Sequence, residues 1–207
     1  MDDKKNALWK CGKELFSSKG FKDTKVSEIT EMAGMAAGTF YIYYDSKSVL
    51  FMEIFLEENK KLKEGIIKNI NLDADPKLVI EELMYRNYEG MKENPILREW
   101  YNKEIFAKIE QQYRDEKNLE KMDFLYAYFI KIVKKWQAEG KMRADIEAEM
   151  IMAIFTSIIV METHKEEVGI QYFPQIMNYL IEFVLEGLTK KQNPQERNNP
   201  FFNRFSS

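Results

Sequence analysis

Apolar residues recur at three- and four-residue spacing through nearly the whole chain, and no stretch alternates with a period of two. A half-buried strand needs that alternation, whereas a helix needs apolar side chains on one face at a period of 3.6. The chain is therefore expected to be all-α. Leu8, Cys11, Leu15 and Phe16 make one face of a first helix over about 4–19, and Gly20 stops it. Thr24 is placed to cap a short second helix carrying Val26 and Ile29, which Gly34 ends. A third short helix is expected over about 36–44 and a long fourth from Ser46 toward Ile70. "NLDADP", from Asn71 to Pro76, reads as a turn and a seam between domains. Further helices are expected over about 76–92, 95–113, 118–139, 148–165 and 174–190, followed by a loose Asn- and Pro-rich tail over 191–207.

Composition narrows the function classes. A chain of 207 residues that is 45% hydrophobic and 14% aromatic can bury a real core. Its start, "MDDKKNALWK", lacks the apolar segment of a signal peptide, and its longest apolar run, 150–161, falls short of the roughly 20 residues that span a bilayer. A cytoplasmic location with no membrane partner is expected. Cys11 is the only cysteine and His164 the only histidine, so a metal cluster or a histidine-based nucleophile relay has almost no parts. No phosphate-binding or dinucleotide glycine pattern is present, and neither an enzymatic activity nor a cofactor is expected. Cys11 reads as core packing and His164 as a capping or surface residue.

The net charge of −3 argues weakly against nucleic acid, but its distribution matters more. The first 50 residues carry eight lysines against seven acids, and those lysines can share one face. Two short helices joined by a tight glycine turn and packed on a preceding helix form a helix-turn-helix, whose second helix reads the groove. Val26, Ile29, Met35 and Phe40 can point inward, leaving Ala37, Thr39, Ile42 and Tyr43 outward. Gly38 costs so short a helix about 1 kcal/mol relative to alanine. A backbone that must approach a phosphodiester strand explains that choice. Lys47 falls in the first turn after the Ser46 cap, where the helix dipole disfavours a cation unless a phosphate also binds there.

With these residues in view, "FKDTKVSEITEMAGMAAGTFYIYYDSKSVL" resembles the DNA-binding signature of the TetR family of bacterial transcriptional regulators over roughly residues 7–56. The resemblance implies that Thr24, Lys25, Thr39, Tyr41 and Lys47 touch phosphates, and that Ala37, Thr39 and Tyr43 face base edges. It departs from the family where Ala36 replaces the usual serine before the recognition helix. That removes a cap worth about 1 kcal/mol and shifts specificity toward methyl contacts and DNA shape.

Beyond residue 60 the resemblance is architectural. It implies a helix-turn-helix domain over 1–46 and a larger helical domain over 47–190, which binds a ligand and dimerises through its last two helices. The apolar run 150–161 and the broad face of Ile176, Leu180, Ile181, Val184 and Leu188 suit such a homodimer. The aromatic stretch between Met84 and Trp136 supplies candidate ligand contacts, namely Tyr85, Tyr88, Met91, Trp100, Tyr113, Phe129 and Trp136. They suit an apolar or aromatic effector, cationic ones included, since Glu104 follows Trp100 by one turn. The expected function is a repressor released from a roughly palindromic DNA operator by that effector. An activator of the same fold, or an effector-independent DNA-binding or scaffolding protein, are the alternatives.

Overall fold

The computed structural model describes residues 3–102, 105, 119–173 and 175–189, and among them every regular element is helical. Helix α1 (Asp3–Asp23) holds Gly20 at φ 80°, so the expected stop at that glycine is a true kink. Helices α2 (Val26–Met32) and α3 (Ala37–Tyr43) follow. Thr24 does not cap α2 as expected. Lys25 occupies the N-cap, and the Glu28 carboxylate turns back to accept its backbone N–H at 3.0 Å.

Helix α4 (Lys47–Lys68) is capped by Ser46, whose hydroxyl accepts from Val49 N–H, and α5 (Pro76–Glu93) begins with proline at its first position. The helix expected over 95–113 is corrected at its start. Asn94 Oδ1 accepts the N–H groups of Ile96 and Leu97, and the chain tightens into a 3-10 turn over Leu97–Tyr101. Most of the remainder of that expected helix, Glu104, Phe106 and Tyr113 included, lies outside the described residues. Helices α6 (Leu119–Ala138), α7 (Ala148–Thr163), the single-turn α8 (Lys165–Val168) and α9 (Gln175–Thr189) follow among the described residues. The expected tail over 191–207 also falls outside the described residues.

Two apolar cores form. The first joins α1 to α3 with the beginning of α4 through Leu8, Phe16, Ile29, Phe40, Leu50 and Phe51, and reaches Met91, Ile96 and Leu97. The second gathers Val79, Ile80, Val133, Trp136, Ile151 and Leu185 from α5, α6, α7 and α9. Burial of this kind is worth about 25 cal/mol per Å² of apolar surface and holds the bundle together. Among the described residues no helix is long and apolar enough to cross a membrane.

Candidate nucleic-acid interface and effector cavity

The turn between α2 and α3 follows from Gly34. Its φ of 67° lets Met35 N–H reach back to Thr30 C=O at 2.8 Å and Gly34 N–H to Glu31 C=O at 3.0 Å, the two bonds of a Schellman ending. Ile29 and Phe40, both fully buried, then lock the two helices at that angle. Ala36 stands at the N-cap of α3 and supplies no side-chain cap, as the missing serine implies. Ala37, Gly38, Tyr41 and Ile42 face outward, with Ile42 75% and Tyr41 60% exposed, while Thr39 and Tyr43 are half-buried. A Cβ added to Gly38 would meet nothing within 4 Å, so the chain itself does not require glycine there.

Two sequence-predicted phosphate contacts sit differently. Thr24 is 1% exposed and donates its hydroxyl to Gly20 C=O at 2.8 Å, which removes it from the outward face. Lys47 turns inward. Its ammonium donates to the carbonyls of Phe21 and Thr24, each at 2.6 Å, and lies 4.4 Å from the centre of the Phe21 ring. The carbonyls at the α1–α2 corner are thus met by a cation, a strong charge-assisted arrangement. Lys25 stays exposed beside the same corner.

Behind this domain lies a cavity of about 1680 Å³, walled by α4, α5, the 3-10 turn, α6, α7 and α9. Tyr85, Tyr88, Met91, Trp100, Phe129 and Trp136 all line it, whereas Tyr113 lies outside the described residues. Trp100 stacks on Phe55 with ring centres 5.9 Å apart, and Phe55 belongs to the first core. Sequence reasoning passed over α4, which contributes Asn59 and Lys63 to the wall. The signal was present, because Phe55, Asn59, Lys63 and Ile66 follow the spacing of one helical face. Two polar residues thus stand on a stripe that otherwise faces inward. Burial pushes the Lys63 ammonium below its ordinary lysine value.

Cys11 packs half-buried on the first core, and burial, with Glu14 nearby, pushes its thiol up. His164 is exposed and opens α8, although its Nδ1 comes within 3.4 Å of Val160 C=O.

Residues 10–54 match the sequence profile of the bacterial regulatory proteins of the tetR family. That match spans α1 to the start of α4, the helix-turn-helix segment of this chain. It is 29% identical over 167 residues to the HTH-type transcriptional regulator YdgC of Bacillus subtilis (strain 168), covering 79% of this chain and 74% of that protein. It is 23% identical over 188 residues to the HTH-type transcriptional repressor KstR2 of Rhodococcus jostii (strain RHA1), covering 86% and 88% respectively. The solved structure of FadR from Bacillus subtilis in complex with stearoyl-CoA superposes with a TM-score of 0.60 at 16% identity, over 88% of this chain and 98% of that one, a likeness of fold. The family matched over residues 10–54 and the relatives named here are DNA-binding transcriptional regulators, which are not enzymes.

Proposed function

We propose that this regulator is a homodimeric repressor that leaves its operator when a large apolar molecule enters the cavity. One observation carries the reading. Phe55 is at once a wall of the cavity and a member of the core on which α3 is seated. A molecule that prefers one placement of Phe55 and Trp100 biases the placement of α3, and must weaken operator affinity by the same differential free energy. That FadR holds stearoyl-CoA in the same fold supports a ligand of that bulk.

In this reading 1–46 docks on DNA, 47–190 binds effector and partner, and α4 links the two. Lys25, Tyr41 and the α3 backbone meet phosphates, while Ala37, Thr39, Ile42 and Tyr43 face the major groove. Half-sites of the near-palindromic operator lie about 34 Å apart, or a modest extension of that. The dimer forms through α7 and α9, where Met150, Tyr179 and Phe183 are exposed and the last two rings stack 6.0 Å apart. The test is to select bound genomic fragments with the purified protein, then titrate the operator by fluorescence anisotropy with and without molecules that quench its tryptophans. Quenching with unchanged operator affinity would leave a constitutive DNA binder with an incidental cavity.

A further inference from the structure

The cavity wall carries Glu57, Glu64, Glu81, Glu89 and Glu182 as well as lysines, and one of those lysines is paired with none of them. Among the described residues Lys63 has neither a hydrogen bond nor an ion pair, and desolvation is the one influence on its titration. The acids nearest to it along α4 are engaged elsewhere: Glu64 with Lys60 at 3.9 Å, Glu57 with Lys61 at 3.5 Å, and Glu58 with Lys13 at 2.6 Å. Lys63 keeps part of its surface accessible because it faces the open cavity. One turn earlier on the same wall, Asn59 Oδ1 is buried without a partner, and so is Trp136 Nε1 on α6. Buried polar groups are nearly always satisfied, so a cluster of exceptions around one apolar space needs an explanation.

A bound anion supplies it. A carboxylate or phosphate accepts from the Lys63 ammonium and from the Asn59 amide, whose two ends exchange by a simple flip. The apolar part of the wall, with residues such as Phe55, Ile80, Phe129 and Met152, receives an apolar body. We propose that the effector is an amphiphile with one anionic headgroup on a long apolar chain, its headgroup held by Lys63 with Asn59 beside it. This deepens the effector reading given above and rests on it for the biological role, though not for the binding itself. It also selects among the charges that the aromatic residues alone allowed, since an unpaired ammonium repels a cationic ligand.

The experiment uses the full-length protein and four probes of equal chain length, all below their micelle concentrations: dodecanoate, dodecyl phosphate, dodecanol and dodecyltrimethylammonium. Calorimetric titration should show one or both anions binding about tenfold or more tightly than dodecanol, with the cation weakest. Whichever anion leads identifies the headgroup. Lys63→Met and Lys63→Gln should bind dodecanol as before and lose the preference for anions. Because Met removes an unpaired buried charge, the ligand-free Lys63→Met protein should melt at a higher temperature than the parent. Equal binding of anion and alcohol, tightest binding of the cation, a preference that survives in both variants, or no binding of any probe would each overturn the proposal, as would a lower melting temperature for Lys63→Met. Operator affinity is measured separately. Dodecanoate bound through Lys63 without operator release would refute the effector role and leave the anion site standing.

Discussion

The Glu99 carboxylate accepts the backbone N–H of Phe21 at 3.1 Å. This bond joins the 3-10 turn that carries Trp100 to the kink at the end of α1. The Phe21 ring in turn packs 4.9 Å from Phe51, which neighbours Phe55 at 6.3 Å, so cavity wall and DNA-binding domain touch through both polar and aromatic contacts. Glu99→Ala should cost about 1 kcal/mol by leaving an N–H unmatched, and Glu99→Gln, which keeps an acceptor, less. The decisive measurement is the ratio of operator Kd with and without a quenching ligand. That ratio should shrink in Glu99→Ala and persist in Glu99→Gln. An unchanged ratio in both would show that coupling runs elsewhere.

Lys47→Ala removes two short charge-assisted bonds to the corner carbonyls and should destabilise the protein by about 2 kcal/mol in denaturant titrations. Operator binding should weaken on every sequence, because the corner that orients α2 and α3 loosens. With its ammonium held by Phe21 and Thr24, the slope of log affinity against log salt should stay as in the parent. A slope lower by about one phosphate would mean that Lys47 swings out to the backbone when DNA binds.

The helices were legible wherever an apolar face and a breaker coincided. Gly20 kinks α1 where the sequence places a stop, and Gly34, Ser46 and Pro76 each end or begin a helix as expected, because positive φ, a hydroxyl cap and a missing N–H are local properties. Thr24 and Lys47 were harder. Both are polar residues at a corner, and only the folded path of α1, α2 and α4 converging there decides whether they face solvent or carbonyls. Lys63 was missed for a related reason, since a lysine on a charged helix reads as solvated unless its register against Phe55 and Ile66 is followed.

Gly38→Ala isolates the docking of α3. The site is open, and alanine favours the helix by up to about 1 kcal/mol, so the free protein should become more stable. The added methyl lies on the outward face and should weaken operator binding. Gain in both properties would show that the α3 backbone does not approach DNA closely.

For the dimer, Phe183→Glu and Val184→Glu should separate assembly from folding. Phe183 is 63% exposed and stacks only on Tyr179 among the described residues, while Val184 packs against the second core. In sedimentation, Phe183→Glu should give a folded monomer at micromolar concentration with lost operator binding. Val184→Glu should lower the melting temperature as well, because it buries a charge in the core of its own subunit. A dimer that survives Phe183→Glu would place the interface away from this face of α9.

Glu58 provides the pH test. It receives Lys13 Nζ at 2.6 Å from α1 and Asn94 Nδ2 at 3.1 Å from the end of α5, so one carboxylate ties three helical segments together. Burial alone would push its carboxyl up, but the hydrogen bonds from Lys13 and Asn94, with the charges of Lys13 and Lys61, outweigh it and the net shift is downward. A carboxyl lowered on folding contributes stability that is complete above its unfolded value, about 4.3, and is lost as pH falls through the lower folded value. At neutral pH Glu58→Gln should therefore be less stable than the parent, by about 1 kcal/mol because Lys13 is 34% exposed and solvent screens the pair. As pH falls through that lower folded value the two proteins should converge. Urea titrations at intervals between pH 7 and pH 3 measure the difference directly, and a gap that stays constant across that range would mean that the Glu58 carboxylate contributes packing rather than charge.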